Sequence, residues 1–170
     1  DGSNKKNLTI NKNLLTKFFS KDSSFFIRHI NANEHNIDGI YPCMNYGKKI
    51  SQGKFIIFIN SGDTFFDQNS LKILHENTLN KGIKKSLIFG QAQIIASKKI
   101  SWYFPGNKLK NITKWLTYFE PNHQSMLVSK TLANKFDFPT KYNMIGDSFW
   151  KRKILETANE VIFIKKPVTK

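Results

Sequence analysis

Lys54-Phe55-Ile56-Ile57-Phe58-Ile59-Asn60-Ser61-Gly62-Asp63 is the stretch on which the fold turns. Lys54 to Ile59 is a near-continuous apolar run of the kind a strand buried on both faces requires. It stops abruptly at Asn60-Ser61-Gly62-Asp63, a set of turn formers. A strand that ends on a carboxylate delivers that group to the edge of an open α/β sheet, where ligands bind. One carboxylate there can ligate a divalent cation that also holds a diphosphate. The same four residues read also as a plain turn, with Asp63 capping the segment after it.

Outward from that stretch, helical and extended patterns alternate. Leu8 to Phe19 places Ile10, Leu14, Leu15, Phe18 and Phe19 at helical spacing. Phe25 to Ile30 is a strand candidate, and Tyr41 to Ser51 predicts a helix that Gly53 stops. Downstream, Asn69 to Leu79 predicts a helix capped by Asn69 or Ser70. Ser86 to Ala96 and Ser101 to Phe104 read as strands, and Asn111 to Phe119 as a helix. Gln124 to Val128 reads as a strand, Ser129 to Lys135 as a short helix, and Val161 to Ile164 as a final strand. Asp147 is well typed to cap the helix running to about Ala158. The alternation predicts a single α/β domain over residues 1–170 with a mostly parallel sheet flanked by helices.

Composition narrows the function classes. The chain has 170 residues, 39% of them hydrophobic and 14% aromatic, which places it among folded rather than disordered chains. The apolar run 55–59 is far too short to cross a bilayer. The polar, lysine-containing start shows no cleavable signal. Cys43 is the only cysteine, so neither an internal disulfide nor a cysteine metal cluster can form, and a reducing, cytoplasmic setting fits. The formal charge is +15, yet Arg28 and Arg152 are the only arginines. Base-reading proteins rely on arginine forks, and the lysines here are dispersed, so a basic nucleic-acid-binding module is the weaker reading. The charge suits a solvated surface with a residual pull toward anionic lipids or phosphorylated substrates.

Five segments, in order, resemble glycosyltransferase family 2, in particular bacterial enzymes that build surface polysaccharides of the colanic-acid type. They are Asp1-Gly2-Ser3, Gly39-Ile40-Tyr41-Pro42-Cys43-Met44-Asn45-Tyr46-Gly47, Phe58-Ile59-Asn60-Ser61-Gly62-Asp63-Thr64-Phe65, Asn122-His123-Gln124-Ser125 and Ile145-Gly146-Asp147. The resemblance implies a Rossmann-like GT-A fold that is N-terminally incomplete, since a strand, a helix and a second strand would precede Asp1. It implies a nucleotide-sugar-binding part over residues 1–66 and an acceptor-side part over residues 67–170. Asp1, Gly2, Ser3, Asn45, Asn60 and Asp63 would bind the nucleotide sugar, with Asp63 also holding Mg²⁺ or Mn²⁺. Asp147 would be the catalytic base, and Trp102, His123 and Gln124 would line the acceptor side.

The activity so implied is sugar transfer, with inversion, from a nucleoside-diphosphate donor of the uridine type to a glycan or lipid-linked acceptor. It would take place in the cytoplasm or at the inner face of the membrane, with peripheral membrane association. Its counterpart is an inactive or truncated remnant of such an enzyme. Other readings of single residues stand beside these. Asn45 reads also as a helix-surface residue, His123 as a structural histidine, and Trp102 and Trp115 as core. Pro42 stands where the related branch commonly carries an aspartate.

Overall fold

The computed structural model describes residues 5–19, 26–79, 85–142 and 144–170, which fall into two compact units, Asp1–Cys43 and Met44–Lys170. Asp1, Gly2 and Ser3, expected to shape the nucleotide loop, lie outside the described residues.

In the first unit, helix α1 spans Lys5–Phe19, as its apolar spacing predicts. Residues 26–30 form no strand, contrary to expectation. A short 3₁₀ turn, Ala32–His35, comes next instead. Asn31 sets it up by accepting from the Asn33 amide at 3.2 Å and donating to Glu34 at 2.9 Å. Local side-chain bonds of this kind compete with a ladder and win where no partner strand is at hand. Helix α2, Ile40–Ile50, carries the boundary between the units.

The second unit is an α/β arrangement around a mixed five-stranded sheet. Its strands are β1 Phe55–Ile56, β2 Ser86–Ser97, β3 Ile100–Phe104, β4 Met126–Ser129 and β5 Glu160–Thr169. Helices α3 Ser70–Glu76, α4 Ile112–Tyr118, α5 Lys130–Ala133 and α6 Gly146–Thr157 intervene. β2 is the centre. β5 runs parallel along one of its edges, from Ser86↔Glu160 to Ala92↔Thr169. The other edge takes β4 at Leu87↔Val128 to Phe89↔Met126 and then β3 from Ala92↔Phe104 onward, both antiparallel. β1 pairs antiparallel with β4.

The expectation of a mostly parallel sheet is therefore corrected, because β2–β5 is the sole parallel pair in this sheet. The turn at Lys98 and Lys99 is too short for the crossover that a parallel β3 would need. The strand expected over Lys54–Ile59 is also shorter than its apolar run. Only Phe55 and Ile56 find ladder partners, Ser129 and Val128 of β4.

Residues 86–92 of β2 are buried on both faces. On one face Ile88 packs with Leu74 of α3 and Val168 of β5, supported by Phe55, Ile57, Leu127, Ile162 and Ile164. Gly90 is where the sheet closes most tightly, since a Cβ there would lie 2.6 Å from Val168 Cγ1 and 2.9 Å from the Lys166 carbonyl oxygen. A second cluster gathers Phe58, Phe138 and Trp150. Phe138 stacks on Trp150 at 4.5 Å, and Phe58 meets both rings edge-on at 5.3 and 5.8 Å. Trp150 also donates its indole N–H to the Phe136 carbonyl at 3.0 Å. Buried aromatic contacts of this geometry add to area burial by about 0.5–1.5 kcal/mol per pair.

Beyond the Asp63 turn, the chain is tied to the end of β5. Thr64 and Lys170 exchange both backbone hydrogen bonds, at 2.8 and 2.9 Å, and the Phe66 amide donates to the Val168 carbonyl at 3.0 Å. Among the described residues no helix is long and apolar enough to cross a membrane.

Candidate functional site

Phe58 and Trp150 explain why two distant acids meet. Phe58 lies two residues before Asn60, and Trp150 lies three after Asp147 on α6. Their contact brings the first turn of α6 beside the turn that succeeds β1. That turn is closed by the Asp63 amide donating to the Asn60 carbonyl at 3.1 Å, with Gly62 at φ +96°. Glycine takes that conformation without Cβ strain.

Between the two acids stands the consecutive pair His123-Gln124. It occupies a 3₁₀ turn, His123–Ser125, that leads into β4. The Ser125 hydroxyl and amide both bond the Asn122 carbonyl, which holds the turn tight. Gln124 donates its amide N–H to Asp63 Oδ2 at 2.8 Å. His123 Nδ1 lies 3.1 Å from Asp147 Oδ2, and its Nε2 lies 2.9 Å from Asn60 Nδ2. A carboxylate can only accept, so Nδ1 carries the proton and Nε2 accepts from the Asn60 amide. The chain of contacts Asn60–His123–Asp147 and Gln124–Asp63 thus joins five of the predicted residues in one cluster.

Lys151, a residue that the sequence reading missed, completes it. Its Nζ lies 3.0 Å from Asp147 Oδ2, one helical turn away, with its side chain 11% exposed against 18% for Asp147. The (i, i+4) spacing on α6 was the available signal. Burial of Asp147 works against its charge. The His123 hydrogen bond and the Lys151 ammonium outweigh that, and the carboxyl is held well below the ordinary carboxylate range. Asp147 does not serve as the helix cap that its type suggests. The N-cap position is Ile145, without a side-chain cap bond, and Asp147 lies inside the first turn. Its Oδ2 instead takes the His123 N–H and the Lys151 ammonium.

The remaining predicted residues stand apart from this cluster. Asn45 commits its amide to one backbone unit, donating to the Phe138 carbonyl at 2.9 Å and accepting from the Phe138 amide at 2.8 Å. It anchors the aromatic cluster to α2. Trp102 sits on β3 opposite Ile94 and is half exposed. Trp115 on α4 packs between Phe104 and Phe119 and is half-buried.

The donor set that these contacts leave for a cation is sparse. Among the described residues no group of three His, Cys, Asp or Glu side chains converges. Asp63 is a lone carboxylate with Oδ2 engaged by Gln124. Such a set fits Mg²⁺ or Mn²⁺ only in the manner of phosphate-binding sites, where one carboxylate suffices because phosphate and water oxygens fill the other positions. Gln124 Oε1 is buried beside it without a hydrogen-bond partner. A separate cavity of about 550 Å³ lies in the first unit, between Leu8, Lys12, His29 and Glu34, and none of the predicted site residues lines it. No protein-family model and no curated protein matches the chain.

Proposed function

We propose that this chain is a GT-A glycosyltransferase domain of the inverting, family 2 kind. It transfers a sugar from a uridine-type nucleoside diphosphate to a glycan or lipid-linked acceptor in surface-polysaccharide assembly. One observation carries the reading. Two carboxylates far apart in sequence, Asp63 and Asp147, are each bound by one member of the adjacent pair His123-Gln124. A site built to hold a diphosphate at one end and an attacking hydroxyl at the other needs two acids fixed at a set separation, and a dipeptide between them provides it.

In this reading Asp63 is the donor-side acid. It would hold Mg²⁺ or Mn²⁺ together with the diphosphate, and the cation when bound supplies positive charge for the leaving group. Gln124 fixes the orientation of Asp63 through the bond to Oδ2. Asp147 is the acceptor-side acid. Its Oδ2 is held by His123 and Lys151, which leaves Oδ1 to take the proton as the acceptor hydroxyl attacks the anomeric carbon. The new oxygen–carbon bond forms as the bond to the diphosphate oxygen breaks, on the opposite face of the sugar. A single base acting by direct displacement inverts the anomeric centre. Because Asp147 stays ionised, it is ready to accept a proton at neutral pH, although so weak a base gives little driving force on its own. His123 and Lys151 orient it, and the Lys151 ammonium compensates its charge.

Titration calorimetry of uridine diphosphate in the presence of Mn²⁺ tests the reading. Binding is expected, and the Asp63→Asn variant should weaken it by at least about tenfold, the loss of one charge-assisted contact. No heat at millimolar nucleotide would assign the chain to the inactive remnant instead.

A further inference from the structure

The β2–β3 hairpin leaves the body of the sheet. β2 is buried from Ser86 to Ala92 and exposed from Ile95 to Ser97. Strand alternation puts Ile100, Trp102 and Phe104 of β3 on one face, opposite Ile94 and Ala92 of β2. Phe104 continues that face onto α4, meeting Trp115 at 5.1 Å, and Trp115 stacks on Phe119 at 5.5 Å. An apolar strip therefore runs from the hairpin tip to the end of α4. It is open to solvent, with Ile100 59%, Trp102 48%, Phe119 50% and Tyr118 71% exposed.

The segment that forms this strip, residues 98–119, contains five lysines and no aspartate or glutamate, and Glu120 just beyond it is paired with Arg152. Lys98 and Lys99 form the hairpin turn, Lys108 and Lys110 lie in the loop after β3, and Lys114 precedes Trp115. All five are exposed. Aromatic rings with a polar edge settle at the level of lipid headgroups, and lysines beside them reach anionic phosphates while their stems cover apolar surface. Exposed Ile100 offers nothing to a nucleic acid, whose phosphates and bases call for arginine forks and stacking rings. It does suit the boundary of an acyl layer.

We propose that the β2–β3 hairpin and α4 form a docking surface for an anionic lipid bilayer, with Ile100 and Trp102 entering the headgroup region and Lys98 and Lys99 on the phosphates. The surface belongs wholly to the second unit and does not depend on the chemistry assigned to Asp63 and Asp147.

Cosedimentation of the 170-residue chain with phosphatidylcholine vesicles, with and without phosphatidylglycerol, is the test. Binding is expected to the anionic vesicles only, with a blue shift of tryptophan emission that Trp102→Phe lacks. Lys98→Glu with Lys99→Glu should weaken binding at least roughly tenfold, as expected for charges near an anionic surface. Ile100→Ser with Trp102→Ser should also weaken it, and these half-exposed positions leave the core intact. Should that pair fail to fold by circular dichroism, the lysine variant carries the decision alone. Equal binding to both vesicle types, no binding, or full binding by the lysine variant overturns the proposal. So does a single-stranded oligonucleotide that binds independently of Ile100 and Trp102 and displaces the vesicles.

Discussion

Lys151 places its ammonium 3.0 Å from Asp147 Oδ2, on the same oxygen that the His123 imidazole reaches from the other side. One carboxylate oxygen thus carries two donors, and the state of that oxygen governs both the local stability and the proposed chemistry.

The first consequence concerns pH. The Asp147 carboxyl sits below its ordinary value of 3.8 in the folded chain, so in acid the unfolded chain takes up the proton first. Its contribution to stability is complete above the ordinary value and is lost as pH falls through the lowered one. Thermal unfolding from about pH 5 downward should therefore show a steeper loss for the native chain than for Asp147→Asn. Parallel curves would mean that the two donors do not hold the carboxylate.

Turnover should separate the two acids. In the proposed reaction Asp147→Asn lowers the rate by roughly 10²–10⁴-fold, the usual worth of a positioned base, and leaves uridine diphosphate binding unchanged. His123→Ala acts through Asp147 and should cost less, about 10–100-fold, while shifting the pH profile of the rate. Steady-state kinetics beside calorimetry would show whether the losses fall on rate or on binding.

Asn45 should behave as a structural clamp. Asn45→Ala removes both bonds that its amide makes to the Phe138 backbone, and the expected cost is roughly 1–3 kcal/mol, about 0.5–1.5 kcal/mol for each bond. Urea unfolding measures it directly. A stable variant that had lost nucleotide affinity would restore Asn45 to the donor pocket.

Gly90 tests the centre of the sheet. Its missing Cβ would overlap both Val168 methyl groups and the Lys166 carbonyl oxygen, so Gly90→Ala should destabilise by about 1–3 kcal/mol. Adding Val168→Ala removes the side-chain clash but not the backbone one. The double variant should recover part of the loss, and denaturant midpoints for the four chains give the coupling.

Local signals in the sequence were sound where the structure is local. Asn111 caps α4 as its type suggests, accepting from the Lys114 amide at 2.9 Å. Near α3 the cap chemistry shifted to Asp67, which accepts from the Asn69 amide and the Ser70 hydroxyl. Hydrophobic run length misled at Lys54–Ile59, where Ile57 and Phe58 serve side-chain packing and only Phe55 and Ile56 pair with β4. The acids of the candidate site were legible as residue types at strand and helix ends. Their connection was not, since Gln124 and Asp63 are 61 positions apart and only tertiary packing joins them. The clamp by Asn45 spans 93 positions and leaves no local trace. Lys48 is the same kind of case. It looks like a surface lysine in a lysine pair, yet its stem is buried and its Nζ bonds Asp137 at 2.7 Å and the Phe136 carbonyl.

The reciprocal bonds between Thr64 and Lys170 have a practical reach. Any label placed at Lys170, whether a dye or an affinity handle, emerges one residue from Asp63. A fluorophore there would test the proposed nucleotide binding by proximity to Asp63, without labelling Asp63 or its partner Gln124. A bulky handle at that position would instead crowd the turn that carries Asp63, so purification handles belong elsewhere on the chain.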